Sequence, residues 1–475
     1  MKKLVSALSL FILVSTFLHA NTTRIMLLGD SITYDDAYRD HRNLRPNSTP
    51  RPSSQRHGYR NHLWYKLQDA KYDVKFVGSR IAGEEIIPAF DPHNEGYPGW
   101  TSAQLASITY SRLVDYSPDI ILLHIGSNDW SESVSYVDKI LNEIQRYEDT
   151  YHHPIKVILA RIINRQAQYG WISSFNRNLQ NLANNRIAHG DDIIVVDMEH
   201  NAGINYSSDF QDPTHPNDTG YQKMANLWFS TLQNVLPSFV PNPLIDPFVK
   251  RFYTTILLRE GEEEGVNYWS EKLQNKQLTA ADLARGFIFS DEFTAQENDN
   301  ATYISTLYRA FFDREGDVDG VQYWLDKLET GSTPYQVLNG FLYSQEFYTL
   351  AETYNILPVD KAELFIGRLY NKVLGRDAEQ KGMENWLQSL RTYKTNATSL
   401  AEAFFFSDEF VNKETNNAEY ITLLYQTILG REPDEEGLNA WIEKLDNGTS
   451  RLKILQSFTH SKEFKALARE YDIDL

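Results

Sequence analysis

A serine hydroxyl becomes a useful nucleophile only where a base can take its proton. Ser31 lies in Gly29-Asp30-Ser31-Ile32-Thr33, directly after a short apolar run. A base and its partner stand far downstream, in Asp212-Pro-Thr-His215-Pro-Asn. With two residues between them, the Asp212 carboxylate can reach the near ring nitrogen of His215. It would fix the tautomer and stabilise the imidazolium that forms. Alone, such a pair is weak evidence, because many Asp-x-x-His pairs are surface caps. Two further segments strengthen it. Gly96-Tyr-Pro-Gly99-Trp-Thr is a tight turn able to present backbone N–H groups, and Gly126-Ser-Asn128-Asp129 offers a side-chain amide. The Ser31 N–H, the backbone N–H groups of that turn and Asn128 together form a candidate oxyanion hole, where one donor is typically worth about 10²–10³ in rate. The chemistry implied is acyl transfer from an ester. It requires no metal and no organic cofactor.

These residues need a scaffold that brings positions nearly two hundred apart together. Apolar runs at 24–28, 74–78, 120–125, 157–162 and 193–197 read as strands. Between them lie helical patterns, such as Val137, Ile140, Leu141 and Ile144 on one face. Apolar strands alternating with amphipathic helices predict an α/β domain, a five-stranded parallel sheet sandwiched by helices. Ligands in such sheets bind beyond the carboxyl ends of the strands. Ser31 and Asn128 each follow a predicted strand, where chemistry is expected.

The four segments, in this order, resemble the four sequence blocks of the SGNH (GDSL-like) hydrolase superfamily, over about residues 24–236. The resemblance implies a flavodoxin-like fold and assigns roles by motif. Ser31 would be the nucleophile, with Asp212 and His215 as its triad partners. The Ser31 N–H, Gly99 and Asn128 would form the oxyanion hole. Gly58-Tyr-Arg60, the run 74–79, the segment Glu95-Gly-Tyr-Pro-Gly99-Trp-Thr and the run 220–225 look like the acetylxylan-esterase branch of the carbohydrate esterases. Arg60 belongs to that likeness, and Trp100 and Trp130 each follow an oxyanion-hole segment, so the three are candidates for substrate binding. The two tryptophans would stack on a sugar or wall the acyl pocket; the alternative is core packing. An insert at 35–57 departs from the pattern. It sets Arg39, Arg42, Arg45, Arg51 and Arg56 against Asp35, Asp36 and Asp40. Either it forms a lip for an acidic glycan or it is a loop tied down by its own salt bridges, the reading preferred here.

Prolines at 237, 241, 243 and 247 mark a linker over 237–247, between this domain (21–236) and a second, repetitive region. In that region the chain repeats four times, at about 248–295, 302–350, 361–412 and 418–470. Each unit carries Tyr, then Arg six, Gly twelve and Trp sixteen residues on, as in Tyr253, Arg259, Gly265 and Trp269. Each closes on Ser-x-Glu-Phe, as at 290–293. The spacing predicts an all-α repeat domain of about three short helices per unit, with the glycine in a turn. These units resemble a bacterial exported repeat family of unknown function, distantly like phycobilisome linkers. Their aromatics read as core rather than as a ligand ladder, since short helical units need large side chains to bury enough surface. Asp313, Asp317 and Asp319 suggest a calcium loop only loosely, because the closing bidentate Glu is not recognisable.

Composition narrows the rest. There is no cysteine among the 475 residues, which excludes disulfides and thiolate chemistry. Of the net charge of −18, −15 falls on residues 241–475, so this half is a poor partner for nucleic acid. Lys2, Lys3, an apolar stretch over 4–18 and Ala20 read as a signal peptide (1–20), predicting export to the periplasm or beyond, with no transmembrane segment. The expected function is an exported esterase removing short acyl groups, O-acetyl foremost, from a polysaccharide. The repeats would contact a glycan or the cell surface. The alternatives are a lipid esterase or thioesterase on the same scaffold, or a surface-binding protein in which the repeats carry the main function.

Overall fold

The computed structural model describes residues 22–41 and 49–475. The candidate signal peptide, Arg42 and Arg45 lie outside the described residues.

Five parallel strands make the body of the first domain: β1 (Thr23–Asp30), β2 (Val74–Val77), β5 (Ile120–His124), β6 (Lys156–Arg161) and β7 (Ile193–Asp197). They lie in the spatial order β2-β1-β5-β6-β7. Two further strands have no counterpart among the predicted ones. β4 (His93–Tyr97) pairs parallel with the carboxyl end of β1, beyond the reach of β2, and β3 (Arg80–Ile81) runs antiparallel to β4. The pleat sends alternate β1 side chains to opposite faces. Met26 and Leu28 pack under α3 (Ser102–Tyr116), α4 (Ser135–Tyr151) and α5 (Gly170–Ala188). Ile25 and Leu27 pack under α2 (Arg60–Asp69) and α6 (Asp218–Leu232). Val137, Ile140, Leu141 and Ile144 are indeed the buried stripe of α4. The chain crosses from β1 to β2 on one side and to β5 on the other. The carboxyl end of β1 is therefore the switch point of the sheet, and Ser31 stands on it as the first residue of α1 (Ser31–Tyr34).

The linker is shorter than its prolines suggest. A helix starts at Ile245, with Pro247 in its first turn, where a missing N–H costs nothing. The repeats beyond it are all-helical, but each unit holds four helices rather than three. In the first these are Ile245–Ile256, Glu263–Gln274, Ala280–Ile288 and Asp291–Thr294. The repeated residues are explained by packing. The Arg six residues past each Tyr stacks on that Tyr ring, with 4.8–5.1 Å to the centroid. It also grips the Glu of Ser-x-Glu-Phe with two guanidinium nitrogens: Arg259 with Glu292, Arg314 with Glu346, Arg376 with Glu409 and Arg431 with Glu463. The Ser of that motif accepts the N–H of its Phe and caps the last helix. Each Trp packs on a buried Phe. The glycine does not sit in a turn. It lies in the first turn of the second helix, and a Cβ there would strike the Tyr hydroxyl in every unit.

Units one and two share one apolar core, and units three and four share another. Asp317 caps a helix by accepting the Gly320 N–H, and Asp313 pairs with Arg251. Among the described residues these acids do not converge into a calcium loop. The fourth unit rests against the first domain. Lys465 pairs with Asp115 at 2.5 Å, and His93 lies between Asp91 (2.7 Å) and Asp474 (3.2 Å). Among the described residues no helix is long and apolar enough to cross a membrane.

Candidate active site

Ser31 is presented by the sharp passage from β1 into α1. Asp30 makes that passage by capping α1, one carboxylate oxygen accepting the Ile32 N–H at 3.0 Å. Gly29 is obligatory here, because a Cβ would meet the Thr33 side chain and the His124 carbonyl. His215 arrives on the loop before α6. The Ser31 hydroxyl donates to His215 Nε2 across 2.8 Å. His215 Nδ1–H donates to Asp212, 2.9 Å from either carboxylate oxygen. With both ring nitrogens so engaged, the neutral tautomer is the one that can accept the serine proton.

Asp212 is buried, and burial alone would raise its pKa. The hydrogen bond and charge of His215 oppose this, as do the N–H groups of Tyr38 (2.8 Å) and Thr214 (2.8 Å), so the carboxyl ends below its ordinary value. It stays ionised and holds His215 from one side.

The two loops expected to carry oxyanion donors are fastened to each other. Asn128 Nδ2 donates to the Trp100 carbonyl at 3.0 Å, and Asp129 accepts the Ser102 N–H at 2.8 Å, at the start of α3. Gly99 has φ +75°, a left-handed conformation in which a side chain is strained. Ser31, Gly99, Asn128 and His215 line one cleft, so the structure brings the predicted residues together. Asn128→Ala is expected to lower kcat by about 10²–10³ with little change in KM, the mark of a donor used in the transition state. A large KM increase at unchanged kcat would instead give Asn128 a ground-state role.

Three candidates for substrate contact fare differently. Arg60 is a correction: it is fully buried, and its guanidinium serves the carbonyls of Thr33, Ala82, Pro92 and Arg56 at 2.7–3.0 Å. Burial lowers its pKa to about 10. It ties the start of α2 to the β1–α1 passage and cannot reach a ligand. Trp100 stacks on Tyr97 at 4.3 Å, with its side chain outside the cleft lining. Trp130 is 59% exposed, beside the lining rather than in it, and packs over Arg165 (4.2 Å) and against Trp171.

Other lining residues carry no local sequence signal. Tyr38 sets its ring edge-on to His215, with centroids 5.5 Å apart, and its hydroxyl shares a 3.0 Å hydrogen bond with Thr214. Arg165 donates to Thr214 (3.0 Å) and to the Ser127 carbonyl (2.8 Å). Asp36 and His41 form the remaining polar wall, 2.6 Å apart, with Arg56 paired to Asp36 from behind. The insert is thus held by its own ion pairs where it is described.

Asp30 has a second property. Burial lifts its pKa to about 6, against the lowering effect of the Ile32 hydrogen bond, the nearby His215 and the Ser127 side chain. A folded pKa above the unfolded one means the fold favours the neutral acid. The stability so contributed is complete below about pH 4 and is lost as pH rises through about 6. Asp30→Asn keeps the capping oxygen without the charge. It is expected to equal wild type near pH 4 and to exceed it at pH 8 by about 2–3 kcal/mol in urea unfolding. A difference independent of pH would contradict this.

The model of the GDSL-like Lipase/Acylhydrolase family matches residues 27–223. That of a domain of unknown function, DUF4214, matches 240–297, 284–351 and 401–468. A multidomain esterase of Ruminococcus flavefaciens is 28% identical over 250 residues, spanning 46% of this chain and 29% of that protein. A carbohydrate esterase family 3 structure from Talaromyces cellulolyticus is 22% identical (TM-score 0.37), over 45% of this chain and 97% of its own. The Clostridium thermocellum family 3 carbohydrate esterase is also 22% identical (TM-score 0.38), over 45% of this chain and 99% of its own. Residues 27–223 are therefore a GDSL-like lipase/acylhydrolase domain, and the helical half behind it carries the DUF4214 repeats.

Proposed function

We propose that the protein is a carboxylic ester hydrolase that removes short acyl groups, O-acetyl foremost, from a polysaccharide. The hydrogen-bonded series Ser31–His215–Asp212, opening on a cleft with Gly99 and Asn128, carries the reading. Ser31 Oγ attacks the ester carbonyl carbon while its proton passes to His215 Nε2. The oxyanion is met by the Ser31 N–H, Gly99 and Asn128. The C–O bond then breaks, and His215 returns the proton to the leaving sugar hydroxyl. Water, deprotonated by His215, releases the acid from the acyl-serine.

The lining supports the substrate class. Around Ser31 stand Asp36, His41, Arg165, Thr214 and Asn128, with Pro98 and Tyr38 beside them. A long acyl chain would lie against these ion-paired and hydrogen-bonded side chains rather than in an aliphatic groove, whereas an acetyl group needs none. Trp130, exposed beside this wall, is a stacking platform suited to a sugar ring. Export belongs to the same proposal and rests on the Lys2–Ala20 segment. The repeats, which fasten aromatics inside their own cores, serve in it as an attachment or spacing module.

The test is acetate release from acetylated polysaccharides, run beside p-nitrophenyl esters of rising chain length. Acetyl and butyryl esters should be cleaved fastest, and polymer deacetylation should occur. Preference for chains of about eight carbons or more would replace this reading with a lipid esterase.

A further inference from the structure

Away from the cleft, His57, His62 and Asp218 bring one ligand atom each to within 4.8 Å of one another. They come from separate segments. His57 closes the 35–57 insert, His62 lies on α2, and Asp218 is the first residue of α6. His62 Nε2 is 2.8 Å from Asp218 Oδ1. The His57 ring stands edge-on to that of His62, with centroids 5.8 Å apart. His57 Nδ1 donates to the Gly58 carbonyl at 3.1 Å, which leaves Nε2 its lone pair. The His57 backbone N–H is tied to Asp35 at 3.2 Å, so the residue is held in place from two sides. An ordinary His–Asp ion pair accounts for His62 and Asp218. It does not account for a second, pre-oriented imidazole beside them.

We propose that these three residues bind a divalent transition ion, Zn²⁺ foremost, with water completing its coordination. Two imidazoles and one carboxylate suit zinc, whereas Ca²⁺ and Mg²⁺ demand oxygen ligands. With Zn–N and Zn–O near 2.0–2.1 Å, ligand atoms of a tetrahedral site lie about 3.3 Å apart. The His62–Asp218 pair opens slightly and His57 closes in, both small movements of side chains that are not fully buried. The bound ion replaces the proton shared by His62 and Asp218. It fastens the end of the insert and α2 to the helix that begins three residues past His215. Asp218 is exposed and sits at a positive helix end, which opposes a cation, so binding should be micromolar rather than tighter.

Equilibrium dialysis of the tag-free full chain against Zn²⁺ should give one ion per chain. His57→Ala and His62→Ala should each weaken uptake at least about tenfold while leaving ester hydrolysis in place. Co²⁺ should give the visible bands of a four-coordinate site in wild type, and these should disappear in both variants. No saturable uptake at about 100 μM zinc, or uptake unchanged in the double variant, would overturn the proposal.

Discussion

Ser31→Ala should lower kcat on p-nitrophenyl acetate by about 10⁴-fold or more, and His215→Ala should do nearly the same. The two losses should not add. Ser31 Oγ and His215 Nε2, 2.8 Å apart, act as one unit, so removing either leaves the other without its partner. Alanine at 31 keeps the backbone N–H, and Gly99 and Asn128 keep theirs. A residue of catalysis over water should therefore survive in both variants, and KM should move little. The measurement is steady-state kinetics of both single variants and the double variant. A double variant much slower than either single one would show that the two residues work separately. An unimpaired Ser31→Ala would remove the triad reading altogether.

The second large effect concerns stability. Arg51 reaches Asp35 at 2.7 Å and Asp40 at 2.8 Å, and both acids are buried. Burial alone would raise both acids' pKa values. The Arg51 hydrogen bonds and charge outweigh it, and both carboxyls end below their ordinary values. A depressed folded pKa contributes stability above the unfolded pKa of 3.8, and that stability is lost as pH falls through the folded value. Arg51→Met removes the cation that both buried carboxylates share, leaving Asp40 its longer, 4.0 Å contact with Arg39. The expected cost at pH 7.5 is about 3–5 kcal/mol. In the variant the acids take up protons more readily, so the deficit should shrink towards pH 4.5. Urea unfolding at the two pH values measures it. Since Asp36, Tyr38 and His41 belong to the same stretch, KM for a polysaccharide should rise as well. A loss below about 0.5 kcal/mol would mean Arg51 is a surface pair of the ordinary kind.

Much of the site can be read from the sequence because its chemistry is local. Ser31 follows a strand end, and Asp212 reaches His215 across two residues. The five predicted strands are apolar runs and stand where those runs stand. β4 is invisible for the opposite reason. His93-Asn-Glu-Gly-Tyr97 has no apolar run and no alternation, yet all five residues are buried, their polar groups met by neighbours such as Ser79 and Asp91. Arg60 misleads because a guanidinium is usually solvated. Here its partners are backbone carbonyls, which leave no trace in residue types. Tyr38, Arg165 and Thr214 reach the cleft through contacts up to 176 residues apart, and no spacing rule anticipates those. The repeat glycine suggests a turn because turns are where glycine is commonest. Its cause is a neighbouring Tyr hydroxyl twelve residues earlier in each unit.

The pairing of the repeats bears on how such chains can change length. Each unit brings its own Arg–Glu clasp and its own Ser cap, so a duplicated segment inherits its fastenings intact. Its apolar faces are not self-contained, because the first unit shares its core with the second and the third shares its core with the fourth. A lineage that gained or lost one unit would be left with half a core facing water. One that moved in steps of two would keep every core closed.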